Sequence, residues 1–94
     1  MNPAANRQLD YAMGLTAGRQ VTYLERLDTA EQYLLRRIEA CKRLQKRLLD
    51  TETDFFVQAI RAGATEALGQ VRQERSRYLA EVTRRALMRE AVTP

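Results

Sequence analysis

Apolar residues recur at helical spacing along most of the chain. With Leu24 set at zero and each residue advanced by about 100°, Leu9, Met13, Ala17, Val21, Leu27, Leu34, Leu35 and Ile38 fall within roughly 60–80° of it. The stripe then drifts through Cys41, Leu44 and Leu48, as a heptad-like seam drifts around a straight helix. Ile60, Ala64, Ala67, Leu68, Val71, Tyr78, Leu79, Val82 and Ala86 form a second stripe of the same kind. Three polar residues interrupt the two stripes: Gln20 and Glu31 in the first, Arg75 in the second. Arg75 predicts either a snorkelling side chain or an ion pair across an interface, with Glu31 a candidate acid.

Breaks in the pattern place the elements. Gly14 and Gly18 predict a kink or short break. Asp28-Thr29-Ala30-Glu31 has capping-box spacing, but the stripe passes straight through it, so the helix is expected to continue. The preferred turn is Asp50-Thr51-Glu52-Thr53-Asp54, whose side chains compete with the backbone for hydrogen bonds. The rival turn is Ala62-Gly63-Ala64-Thr65. The resulting architecture is a long antiparallel helical hairpin, all-α and coiled-coil-like, with arms over 19–49 and 53–91. Residues 1–18 form a short helix or an extension of the first arm, with Asn2 as cap and Pro3 as first helical residue. Residues 1–94 make one domain.

Composition agrees with this class. Fifty-nine of the 94 residues are Ala, Leu, Arg, Glu, Gln, Met or Lys, and Val and Ile total only seven. A single helix of this length would run to about 140 Å and leave its stripe in water. The chain must therefore fold back or pair, and a thin core predicts a homodimeric bundle. Asp10 interrupts the start where a leader would need apolar residues, and Cys41 has no partner for a disulfide. Both features predict a cytoplasmic protein.

Candidate chemistry is sparse. There is no His, so the common general base and the Ser-His and Cys-His pairings are missing, and a non-enzyme is expected. Asp50, Glu52 and Asp54 resemble the opening of a calcium loop, but Phe55 stands where Gly is required and Arg61 where Glu is required. Gly14 and Gly18 lack the Lys-Ser/Thr of a phosphate loop. Cys41 lies on the apolar face as a small hydrophobe. No metal and no cofactor are expected.

What remains is surface. Leu24, Leu27, Leu34, Leu35, Ile38, Phe55, Phe56 and Tyr78 are the candidate partner contacts. Arg36, Lys42, Arg43, Lys46 and Arg47 share one arc of the helical wheel and form a candidate strip for nucleic acid or an acidic partner. In form the chain is similar to small helical secretion chaperones, phage-encoded host regulators and plasmid accessory proteins, with no motif specific to any one of them. The expected function is a protein-binding adaptor, chaperone or regulator that works through amphipathic helix faces as a homodimer. The alternative is a nucleic-acid-binding accessory protein using residues 36–47. No membrane span is expected.

Overall fold

The computed structural model describes residues 3–92. They form three helices and no strand: α1 (Pro3–Gly14), α2 (Tyr23–Gln45) and α3 (Thr51–Val92). The expected Asn2 cap lies outside the described residues. Helix α1 is a separate element folded back beside the other two, not an extension of the first arm. It stops at Gly14, and the link to α2 turns at Gly18, whose φ of +82° only glycine adopts readily. Thr22 caps α2, its Oγ1 accepting the Glu25 backbone N–H at 3.1 Å. From there α2 runs through Asp28 without a break.

The α2–α3 turn covers residues 46–50, slightly earlier than the preferred position, and 62–65 is helical. Asp50 is the cap of α3 and not the start of a loop. Its Oδ1 accepts the Thr53 N–H and its Oδ2 accepts the Thr53 hydroxyl, both at 2.8 Å. Glu52 and Asp54 then fall in the first turn, where the helix dipole favours acids. The Thr53 backbone N–H, and next its hydroxyl, hold the Asp50 carboxyl below the usual carboxylate range.

The three helices alternate in direction. Tyr23 meets Tyr78 and Gln45 meets Arg61, so α2 and α3 are antiparallel. Tyr11 meets Tyr33 and Gln8 meets Arg37, so α1 is antiparallel to α2. The core comprises Ala12, Leu27, Ala30, Leu34, Ile38, Ala64, Ala67, Leu68 and Val71. Small residues on α3 let α1 approach closely. A Cβ on Gly63 would stand 2.6 Å from Gln8 Nε2 and 3.5 Å from the Ala5 backbone nitrogen.

The core does not extend along all of α3. No residue of that helix beyond Val71 is buried, and every described residue from Val82 onward is exposed. The molecule measures 68 × 24 × 22 Å, its length set by this one helix.

Candidate interaction surfaces

The sequence-predicted contacts separate into three groups. Leu27, Leu34 and Ile38 are buried within the chain's own core, so they are withdrawn as partner contacts. The reason is α1, which supplies part of the cover that the hairpin alone would have needed from a mate. Leu24 and Leu35 are half-buried against the same core, and Tyr78 is half-buried beside Tyr23. Phe55 and Phe56 alone are open, at 66% and 56% exposure, with their rings stacked edge-on at a centroid distance of 5.8 Å. They stand at the turn end of the molecule, near exposed Leu44 and Leu48.

At the opposite end lies a surface that the list of candidates missed. Leu79 and Val82 are each 43% exposed, and Leu87, Met88 and Val92 follow them into solvent. Leu79, Val82 and Ala86 continue the stripe that α2 covers farther back. The signal was present in the sequence, because the second stripe runs to Ala86. What the sequence could not show is that α2 ends its cover at Tyr23. On this projecting segment Glu81, Arg84 and Arg85 pair locally. Arg84 and Arg85 bind Glu81 at 2.7 and 3.1 Å, and Arg84 foremost draws its carboxyl down to about 2.

The seam between α2 and α3 carries a polar cluster. Arg75 Nη2 reaches Glu31 Oε1 and Asp28 Oδ1, both at 2.9 Å, while Arg72 Nε reaches Glu31 Oε2 at 2.8 Å. Hydrogen bonds from Arg75 and then Arg72 lower the Glu31 carboxyl, outweighing its burial. Glu31 and Arg75 retain 14% and 23% side-chain exposure, so the pair is largely shielded from water. It is a structural clamp between two helices.

The basic segment occupies the outer side of α2. Arg36 and Arg43 sit about 180° around the helix from buried Leu34. Lys46 and Arg47 follow at the end of the helix, and all but half-buried Lys42 are exposed. Lys42 pairs with Glu39 at 3.3 Å. Arg36, Arg43, Lys46 and Arg47 make no side-chain ion pair among the described residues.

Among the described residues no group of three His, Cys, Asp or Glu comes together to hold a metal ion. Cys41 is buried on the apolar face. No helix there is long and apolar enough to cross a membrane. The chain matches no protein-family model, no curated protein and no solved structure.

Proposed function

We propose that this chain is a non-enzymatic, helical protein-binding adaptor that offers residues 79–92 of α3 to a partner as an amphipathic helix. The observation that carries the reading is the length of α3 beyond Tyr78, with Leu79 and Val82 half in water on the line of the core stripe. An isolated helical segment gains little from propensity alone and is stabilised mainly by packing of its apolar face. Helix-in-groove recognition uses such anchors at i, i+3 and i+7, which Leu79, Val82 and Ala86 supply. A second copy of the chain is one way to cover them, giving the homodimer that the sequence predicts.

The double variant Leu79→Asp, Val82→Asp tests the reading, because both residues lie outside the core. The wild-type chain is expected to self-associate at micromolar concentration or to retain partner proteins when used as bait. The variant should lose both properties and keep its melting temperature. A wild-type chain that sediments as a monomer and retains nothing overturns the proposal, as does a variant that retains the same partners.

A further inference from the structure

We infer that the outer ridge of α2, carrying Arg36 and Arg43, together with Lys46 and Arg47 in the turn that follows it, is a docking strip for the phosphate backbone of double-helical nucleic acid. The first ground is the distribution of charge. Residues 36–47 hold six cations and one anion, while the rest of the chain holds ten cations and eleven anions. The chain's entire excess of positive charge therefore lies in this short segment.

The second ground is availability. Five arginines of α3 are engaged by carboxylates: Arg72 and Arg75 clamp Glu31, Arg77 binds Glu74, and Arg84 and Arg85 bind Glu81. The four cations of the strip have no such partner among the described residues. The C-terminal helix dipole favours cations in the last turn of α2, which accounts for Arg43 and its neighbours near the end. It does not account for Arg36, two to three turns upstream on the same outer line.

The third ground discriminates between anionic partners. Protein interfaces bury an apolar centre inside a polar rim. Between Arg36 and Arg43 the outer line offers Glu39 and Ala40. Leu35 beside it packs half-buried against the core, and exposed Leu44 and Leu48 lie off the line toward the turn. No large apolar side chain therefore stands at the centre of the strip. A phosphate backbone requires no apolar centre, only cations at intervals. Arginine, three of the four, presents a planar fork suited to phosphate oxygens. No aromatic side chain lies along the line to stack on unpaired bases, which favours a duplex over a single strand. Arg36 and Arg43 are about 10.5 Å apart along the axis, roughly three base-pair steps of one strand.

The test is fluorescence anisotropy with a labelled 20-base-pair DNA duplex across about 50–200 mM salt. Four phosphate contacts predict a slope of log K against log salt of roughly −3 to −4. Combined Arg36→Gln, Arg43→Gln, Lys46→Gln and Arg47→Gln should weaken binding at least about tenfold at low salt and flatten the slope. A control losing equal charge on α3, with Arg77, Arg84, Arg85 and Arg89 changed to Gln, should bind within about twofold of wild type, and so should Leu79→Asp, Val82→Asp. Circular dichroism checks that each variant remains helical. Undetectable duplex binding at 50 mM salt overturns the inference. So does equal loss in the α3 control, which would indicate net charge alone, or loss in the Leu79/Val82 variant, which would move binding to the projecting helix. Tighter binding to the matching single strand, or to poly-glutamate, likewise rejects a duplex backbone as the ligand.

Discussion

The ring of Tyr23, the first residue of α2, meets the ring of Tyr78 edge-on with centroids 4.9 Å apart, and the Tyr23 hydroxyl donates to Glu74 Oε1 at 2.9 Å. Burial, reinforced by Glu74, raises the Tyr23 phenol above its ordinary value. This contact closes the three-helix body at its upper end. Tyr23→Phe removes the hydrogen bond alone and should cost about 0.5–1.5 kcal/mol in urea unfolding. Tyr23→Ala also removes the aromatic contact and should cost about 1 kcal/mol more, with faster amide exchange around Glu74–Tyr78. Equal stability of Tyr23→Phe and wild type would show that the bond contributes nothing.

The Glu31–Arg75 clamp makes stability depend on acid. The Glu31 carboxyl is lower in the folded chain than in an unfolded one, with Arg75 and then Arg72 as the main causes. Its contribution is therefore present above the ordinary carboxylate range and is lost as pH falls through the depressed folded-state value. Glu31→Gln should cost about 1–2 kcal/mol at pH 7 and progressively less at lower pH. Urea titrations at pH 7, 4 and 2.5 should show the wild-type and variant midpoints converging. A constant gap would assign the cost to packing.

Glycines at 63 and 69 on α3 should respond in opposite directions. A Cβ on Gly69 meets nothing within 4 Å, so Gly69→Ala should stabilise by about 0.5–1 kcal/mol through helix propensity. Gly63→Leu must displace Gln8, which donates to the Ile60 carbonyl at 3.0 Å and accepts from Arg37 at 2.9 Å, and it presses on the α1 backbone. A cost of about 1–3 kcal/mol is expected. Melting temperatures of the two variants provide the comparison, and a stabilised Gly63→Leu would contradict the close packing of α1.

Thr16 is buried in the α1–α2 link, and its hydroxyl has no hydrogen-bond partner among the described residues. Thr16→Val keeps the shape and removes the unsatisfied group, so it should stabilise by about 1 kcal/mol. A destabilised variant in thermal melts would mean that the hydroxyl is satisfied in solution.

Much of the architecture could be read from particular residues. The stripe interval marks α2 and α3 as helices, and Gly14 and Gly18 mark the break before α2. Arg75, out of place on its stripe, pairs with Glu31, the acid out of place on the other. The turn was less legible because Leu48 and Leu49 prolong the apolar pattern past the end of α2. Asp50 to Asp54 carry the same residue types whether they cap a helix or form a loop. Thr22 and Glu25 also had capping spacing, but the stripe passing from Val21 to Leu24 obscured it. The placement of α1 was least visible: Leu9 and Met13 align with Leu24 whether the chain continues straight or folds back onto the same core. That placement decides the site, because it buries Leu27, Leu34 and Ile38 and leaves Leu79 and Val82 as the open part of the stripes.

Helix α3 has no joint between the part held by its neighbours and the part that projects. Each residue advances about 100° around the axis, so the azimuth of Leu79 and Val82 is set by the residues gripped beneath α2. Inserting one residue after Tyr78 would swing that pair by about a quarter-turn while leaving every core contact in place. Whatever lies against the projection would then meet the wrong side, and binding would return only as further insertions approach a whole turn.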